Sequence, residues 1–264
     1  MRIAGDNDNY TFVLRNDVTG RYVKDCVIEL PSVTTVIKRV LVKHGLLPWS
    51  YNQTLDAFVG VANMVYEGEL SVEDFIDTFT DPDMAKEWMK ENGLRPEDVK
   101  TDASRRGSEK HVFLESLGQT GVEDDEAAEY YARKHVDDDD PFVHAICEWW
   151  LATNPSAVAV ETVLWSTKLG VAGSVDLVWK KDGYLRVTDL KTRKAGSKAY
   201  ESDFVQVDGY TDLWNERNPE LQCLDGSVLL AMDDGCYNEV EVPDNFFGTF
   251  EKIKELHDMI RGGE

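Results

Sequence analysis

The sequence predicts an α/β protein in which a mixed central β-sheet is flanked by helices and preceded by a helical N-terminal region. Helix-start signals and apolar residues at a spacing of three to four dominate the chain from residue 30 to residue 156. Three β-rich runs follow, and then a helix, two strands and a last helix. With 42% hydrophobic residues and 7 tryptophans, the 264-residue chain can bury a large core, which argues against a disordered or fibrous protein.

Charge and cysteine content argue against several classes of protein. The 28 Lys and Arg residues and 50 Asp and Glu residues give a formal charge of −22, which disfavours a general, histone-like binder of nucleic acid. No C-x-x-C pair is present, so we expect buried free thiols at Cys26, Cys147, Cys223 and Cys236. The apolar stretches are far shorter than the roughly 18 residues of a membrane span, and no signal pattern is seen at the N-terminus. We therefore expect a cytoplasmic protein without a membrane partner.

The first part of the chain is predicted to form a hairpin and then a series of helices. The hairpin covers Tyr10 to Val27, where β-branched and aromatic residues surround a turn signal. Ser32 or Thr34 is predicted to cap a helix that runs to about Lys43, and Pro48 opens the next helix. Three further helix starts are indicated by Ser71 with Asp74, by Asp81 with Pro82, and by Pro96 after Gly93.

Two acidic clusters bracket the next predicted helix. Residues 120 to 140 contain nine acids and two bases. The clusters, Glu123 to Glu126 and Asp137 to Asp140, fit a solvated face with helix N-caps, or alternatively an acidic patch that binds a partner. A helix that starts at Pro141 is expected to bury Trp149 and Trp150 in the core.

From residue 157 onwards the pattern changes to strands. Three strands are predicted at Ala157 to Trp165, Gly173 to Trp179 and Tyr184 to Leu190. They are followed by a helix and two strands at Glu201 to Asn215, Ser227 to Met232 and Tyr237 to Val242, and by a last helix at Asp244 to Ile260. We divide the chain into residues 1–156 and residues 157–264, and we expect the two parts to form one compact structural unit.

Two neighbouring strands of the second part carry acids in an apolar setting. Gly173-Ser174-Val175-Asp176 places a carboxylate inside one strand, and Asp189-Leu190-Lys191 lies at the end of the next. Because residues two apart point to one face, Asp189 and Lys191 project together while Leu190 enters the core. A hairpin between the two strands can bring Asp176 alongside Asp189. Two carboxylates a few Å apart repel each other unless a cation lies between them, and hard oxygen ligands favour Mg²⁺ or Mn²⁺. The Lys191 ammonium could then orient or deprotonate a water near the metal.

By itself, the Asp-x-Lys pattern is equally compatible with a surface hairpin of alternating polar residues. The order of the surrounding residues is more specific: Glu161 precedes the two strands, and Gln206 and Tyr210 follow in a helix. This ordered set resembles the PD-(D/E)XK nucleases, and its Gln-x-x-x-Tyr element is similar to that of the RecB-like branch. The resemblance implies a restriction-endonuclease-like core in residues 157–264.

The helical region contains a second resemblance. The segment from Gly107 through His111 to Glu115 resembles the G-x-x-x-H-x-x-x-E element of RecB-like nucleases, in which the histidine is a metal ligand. The N-terminal segment Leu30 to Thr35 resembles the entry segment of phage-encoded exonucleases and CRISPR-associated members of this branch. Several relatives hold an iron–sulfur cluster with four cysteines. Here Cys223 and Cys236 are 13 residues apart and no third cysteine follows, so we expect no iron–sulfur cluster.

The resemblance implies a ligand set for two Mg²⁺ or Mn²⁺ ions. Asp176 would bridge the two ions. Asp189 and the backbone carbonyl of Leu190 would bind one of them, and His111 would bind the other. Glu161 would act through a metal-held water. Lone helical histidines are otherwise packing or surface residues, so the assignment of His111 depends on the whole set.

Three further residues have implied catalytic roles. Lys191 would position the attacking water, and Gln206 with Tyr210 would orient Lys191 or the scissile phosphate. The activity implied is a metal-dependent deoxyribonuclease, and similarity to phage enzymes implies an exonuclease that acts on DNA ends in phage recombination or replication. DNA is the expected partner, with a recombination or single-strand-annealing protein as a possible second partner, in the host cytoplasm if the chain is phage-encoded.

Basic residues are scarce and flank these motifs. A basic groove inside an acidic shell would provide sequence-independent contacts to phosphates, and solvated helix ends are the alternative interpretation. The residues predicted to contact DNA are Lys38, Arg39, Arg105, Arg106, Arg193, Lys194 and Lys198. Two other functions are compatible with the sequence: an inactive nuclease fold that serves as a DNA-binding or scaffold subunit, and an acidic interaction protein that mimics DNA.

Overall fold

The computed structural model describes residues 2–5, 12–15, 22–24, 28–41 and 46–262. Contacts divide the chain into two compact units: residues Met1–Val42 with Glu109–Glu264, and residues Lys43–Ser108. The first unit contains every predicted metal-ligating and catalytic residue. The functional division at residue 156 stays a prediction.

The first unit begins with a small antiparallel sheet. Its four strands are paired in chain order: β1 (Arg2–Gly5), β2 (Phe12–Arg15), β3 (Tyr22–Lys24) and β4 (Ile28–Leu30). The predicted hairpin corresponds to the pairing of β2 with β3, which is confirmed. The two outer strands were not expected, because runs of three or four residues are too short to produce a clear alternating pattern. Cys26 lies outside the described residues.

A five-stranded mixed sheet forms the centre of the first unit, which confirms the predicted fold class. Its strands are paired in chain order: β5 (Ser156–Ser166), β6 (Val171–Lys181), β7 (Tyr184–Arg193), β8 (Cys223–Met232) and β9 (Tyr237–Glu241). Strand β7 pairs parallel with β8, and the other pairings are antiparallel. Parallel neighbours require a crossover, and α8 (Glu201–Arg217) provides it between β7 and β8.

Helices cover both faces of this sheet. One apolar core lies between the sheet and α1 (Val33–Val40), α8 and α9 (Thr249–Gly262). The other lies between the sheet and α5 (Pro96–Glu123), α6 (Asp125–His135) and α7 (Pro141–Thr153). Trp149 and Trp150 are fully buried in the second core, as predicted, and the Trp149 ring meets Trp179 edge to face at 5.8 Å.

Two helix boundaries differ from those predicted. Helix α1 starts as expected, with the Ser32 hydroxyl accepting the Thr35 N–H at 3.0 Å, but it ends at Val40. The last helix is interrupted: a 3₁₀ turn at Asp244–Phe246 precedes α9, because Gly248 takes a left-handed φ of 76°. The buried Asp208 accepts the Gly248 and Phe250 N–H groups at 3.0 and 2.8 Å and so fixes the start of α9.

The second unit is helical. It contains α2 (Leu46–Glu67), α3 (Val72–Phe79), α4 (Pro82–Glu91) and the first part of α5. The predicted capping residues are confirmed: the Ser71 hydroxyl accepts the Asp74 N–H at 3.0 Å, and Asp81 accepts the Asp83 N–H at 2.7 Å. No described helix of the chain is long and apolar enough to cross a membrane.

The cysteines are only partly as expected. Cys147 and Cys223 are buried free thiols, as predicted, whereas Cys236 is free but exposed. The expectation for Cys236 was wrong because the residue lies in the turn between β8 and β9 rather than inside a strand.

The packing of α8 against α9 predicts a pH-dependent stability. Burial, together with the nearby carboxylates of Asp208 and Glu251, raises the pKa of Asp212 to about 7. One oxygen of Asp212 is buried and forms no hydrogen bond within the described structure. Between about pH 4 and pH 7, the Asp212 carboxyl is therefore protonated in the folded state and ionised in the unfolded state. Because the folded state binds more protons, the free energy of unfolding falls as the pH rises through this range.

Asp212→Asn removes that dependence. We expect the variant to melt at a higher temperature than the wild type at pH 8, by about 2–4 °C for each kcal/mol that the charged carboxyl costs, with the difference vanishing towards pH 4. Thermal melts across this range measure the effect. A difference that is the same at every pH would contradict the assignment.

Candidate active site

Pairing of β6 with β7 brings the two predicted strand carboxylates together. Leu177 lies opposite Thr188, so Asp176 and Asp189 are next to each other across the ladder. The Leu190 N–H donates to Asp176 Oδ2 at 2.8 Å, and the Leu190 side chain is buried as predicted. The side chains of Asp176 and Asp189 are only 9% and 1% exposed, so their charges require buried partners.

Glu161 reaches the same place from β5. It lies between the pairs Val160–Leu177 and Thr162–Val175, and therefore opposite Asp176. Its φ of 42° falls in the left-handed region, which costs free energy for any residue with a side chain and is rare inside a strand. The Ser174 hydroxyl donates to Glu161 Oε2 at 3.1 Å.

The left-handed backbone at Glu161 predicts a stability difference between two variants. Glu161→Gly and Glu161→Ala both remove the carboxylate, but only alanine keeps a Cβ in the strained conformation. We expect the glycine variant to unfold with a free energy about 1 kcal/mol higher than that of the alanine variant. Urea denaturation of the two variants measures this difference. Equal midpoints would show that the backbone at residue 161 is not strained in solution.

His111 approaches these carboxylates from α5. Its Nδ1 lies 3.2 Å from Asp176 Oδ2 and 3.8 Å from Glu161 Oε1. Burial alone would lower the pKa of His111, but the charges and hydrogen bonds of Asp176 and Glu161 outweigh it and raise the pKa to about 10. The preceding residue, Lys110, is buried and pairs with Asp140 at 2.5 Å, which links α5 to the start of α7.

These three side chains form a group that fits a divalent metal ion. Ligand atoms of His111, Glu161 and Asp176 all lie within 4.8 Å of one another. One imidazole and two carboxylates are a usual donor set for such ions, and the negative charge of the carboxylates that face His111 is the cause of its raised pKa. Asp189, which was predicted to be a ligand, lies outside this group of three.

Asp189 is instead held by Lys191 and Gln206. The Lys191 ammonium is 2.6 Å from Asp189 Oδ2, although that buried oxygen has no partner with hydrogen-bond geometry in the described structure. Gln206 Nε2 donates to Asp189 Oδ1 at 2.8 Å, and Lys191 donates to Gln206 Oε1 at 3.2 Å. Gln206 Nε2 also donates to the Tyr210 hydroxyl at 3.1 Å. The structure therefore brings together all four of these predicted residues.

The charges of the site depend on one another. Burial raises the pKa of Asp189 to about 6, against the lowering effect of Lys191. Burial would also raise the pKa of Asp176, but the neighbouring His111 and Lys191 charges leave it below its usual value. For Lys191, burial is outweighed by the two aspartates, so the pKa of its ammonium is raised. Removing any one of these charges therefore changes the protonation of the others.

A glycine allows α8 to lie this close to β6. A Cβ at Gly173 would be 2.6 Å from the Tyr210 ring, which is closer than any side chain permits. The Gly173-x-x-Asp176 spacing is thus explained by packing: the glycine admits Tyr210, and the strand continues to Asp176.

The predicted DNA contacts are placed in different surroundings. Lys38 and Arg39 are exposed on α1, and Lys194 and Lys198 are exposed between β7 and α8. Arg105 and Arg106 are exposed on the part of α5 that belongs to the second unit. Arg193 is engaged within the protein: it pairs with the buried Asp203 at 3.1 Å.

Three residues that support the site were not predicted: Ser174, Lys110 and Asp203. Ser174 could have been found, because it is two residues before Asp176 and therefore on the same face of β6. The pairing of Lys110 with Asp140 spans 30 residues, and no local pattern indicates it.

The mixed sheet and α5 bring together an imidazole, three carboxylates and a buried ammonium, which is a group of side chains suited to hydrolysis with a divalent metal. The chain belongs to the PD-(D/E)XK nuclease superfamily, whose family model matches residues 86–264, more than half of the chain. Enzymes of this superfamily hydrolyse phosphodiesters with divalent metals. No curated protein matches the sequence. A solved structure titled "Crystal structure of SSO0001" is 16% identical with a TM-score of 0.31, and the match covers 52% of this chain and 65% of that one.

Proposed function

We propose that the protein is a metal-dependent deoxyribonuclease of the RecB-like branch that degrades DNA from its ends. The observation that supports this most directly is the group formed by His111, Glu161 and Asp176, with the Lys191 ammonium beside it. The histidine comes from a helix 50 residues before the first strand carboxylate, in a segment that resembles the histidine element of that branch.

His111, Glu161 and Asp176 would hold Mg²⁺ or Mn²⁺, and the Asp189 carboxylate and the Leu190 carbonyl would complete the site for a second ion. Bound there, the divalent ions would supply positive charge against the negative charge that develops on the phosphate during an in-line displacement. Asp189 Oδ2 is buried and lies 2.6 Å from the Lys191 ammonium, so a second ion at this point would share the oxygen with Lys191.

The remaining residues would orient the attacking water. Lys191 is charged, buried and held at two points, by Asp189 and by Gln206. An ammonium that is fixed in this way can hold a water in line with the scissile bond without losing conformational entropy during the reaction. The Tyr210 hydroxyl accepts a hydrogen bond from the Gln206 amide and so fixes its orientation. Gln206 and Tyr210 would therefore act through Lys191.

Dependence on DNA ends is proposed from the resemblance to end-processing phage enzymes, as are the role in phage recombination or replication and a single-strand-annealing partner. The test uses end-labelled linear DNA and covalently closed circular DNA, each incubated with the protein and Mn²⁺. We expect the linear DNA to be degraded while the closed circles stay intact. Rapid nicking of the circles would favour an endonuclease, and no cleavage of either DNA would favour the inactive DNA-binding subunit.

A further inference from the structure

The segment between β7 and α8 has the composition of a nucleic-acid-binding loop. Residues 194–200 contain two lysines, one tyrosine and no acid, in a chain with 50 acids and 28 bases, and they directly follow Lys191 and Arg193 on β7. Lys194 and Lys198 are exposed, and neither forms an ion pair with any residue in the described ranges. These lysines are therefore available to phosphates close to the candidate active site.

This loop leaves the sheet on the side of the candidate site. Arg193 is two residues after Lys191 on β7, so the two side chains point to the same face, about 7 Å apart along the strand. Asp203 and Gln206, one turn apart on α8, contact Arg193 and Lys191 respectively. The loop and the candidate active site thus share one face of β7.

An aromatic ring in this loop is contacted by a guanidinium and is nevertheless exposed. The Arg193 guanidinium lies 5.2 Å from the centroid of the Tyr200 ring. Arg193 pairs with Asp203 at 3.1 Å, and the same carboxylate accepts the Tyr200 N–H at 2.9 Å. Even so, Tyr200 is 57% exposed. The loop is also fastened at Ala195, whose N–H donates to Asp233 at 2.7 Å.

We propose that Tyr200 is a stacking platform for an unpaired base of the DNA strand that enters the site. Lys194 and Lys198 contact the phosphates of that strand. Both faces of a base inside a duplex are covered by its neighbours and a blunt end leaves open only the outer face of its last pair, so an exposed protein ring can stack on the other bases only where the strand is single. The proposal rests on the nuclease function and deepens it by naming the substrate class: DNA with a single-stranded end. Because every base has a π-face, no sequence preference is expected.

Fluorescence anisotropy tests this by measuring the affinity of each protein for a labelled single strand and for a labelled blunt duplex. Both are measured with Ca²⁺ present and at one fixed salt concentration. Tyr200→Ala should weaken binding of the single strand at least about fivefold and change binding of the duplex by less than about twofold. Tyr200→Phe keeps the ring and should bind both DNAs like the wild type. Tyr184→Ala is the matched control, because Tyr184 is 60% exposed at the start of β7, and it should change neither affinity.

The lysines should behave differently from the tyrosine. Lys194→Ala or Lys198→Ala should weaken the binding of single strand and duplex to the same extent. Each variant should also reduce the slope of log affinity against log salt by about the amount that one phosphate contact contributes. Melting temperatures of all variants show that the fold is kept.

The proposal is overturned if Tyr200→Ala loses no affinity for the single strand, or loses as much affinity for the duplex as for the single strand. It is also overturned if the wild type binds neither DNA. Failure of the nuclease function has a different signature. A wild type that binds the single strand through Tyr200 but cleaves nothing with Mg²⁺ or Mn²⁺ would remove the proposed activity and support the stacking platform.

Discussion

Lys191→Ala should lower the rate of DNA cleavage by at least about a hundredfold at saturating Mn²⁺, the range expected when a positioned proton-transfer or water-orienting group is lost. Two effects contribute. The ammonium that would orient the water is gone, and Asp189 loses the charge that keeps the pKa of this buried carboxyl down to about 6. Asp189 should then hold its proton at neutral pH and become a poorer ligand.

Single-turnover cleavage of end-labelled linear DNA measures this loss. Lys168→Ala is the matched control: it removes the same charge from an exposed lysine that pairs with Glu251, and it should leave the rate unchanged. The melting temperature of the Lys191 variant shows whether the fold is intact. A folded Lys191→Ala protein within about tenfold of the wild-type rate would remove the proposed role of this residue.

Asp176→Asn should abolish cleavage and yet bind DNA more tightly than the wild type when no metal is present. Asp176 lies beside Glu161 and Asp189, and these acids would face the scissile phosphate. At an effective dielectric constant of about 20, two unit charges 4 Å apart repel by about 4 kcal/mol. Wild-type affinity for DNA should therefore fall strongly in EDTA and return with Ca²⁺, whose looser coordination supports binding better than cleavage.

Fluorescence anisotropy with a labelled duplex at one fixed salt concentration compares the proteins. In EDTA, we expect Asp176→Asn to bind at least about fivefold more tightly than the wild type. Asp125→Asn changes the net charge equally on the exposed part of α6 and serves as the control. If the wild type binds equally well in EDTA and in Ca²⁺, or if Asp125→Asn gains as much affinity as Asp176→Asn, the site carboxylates do not control binding.

Much of the site could be predicted from short-range patterns. The alternation of a strand places Asp189 and Lys191 on one face and Leu190 in the core, and the turn between β6 and β7 is short enough to pair them in register with Asp176. Helix starts were equally local, because a capping side chain such as Ser71 or Asp81 bonds to a backbone group within three residues.

What the sequence by itself determined about this protein is therefore the order of its helices and of the five strands of the mixed sheet, and the identity of the acids, the lysine and the histidine that meet. The tertiary structure alone decided several of the contacts between them: that Glu161 lies directly beside His111, that Gln206 donates to Asp189, and that Arg193 is braced by Asp203. The physical reason is range. Backbone periodicity and capping act over a few residues, whereas buried charges are placed by burial and Coulomb interactions between elements that are distant in the chain.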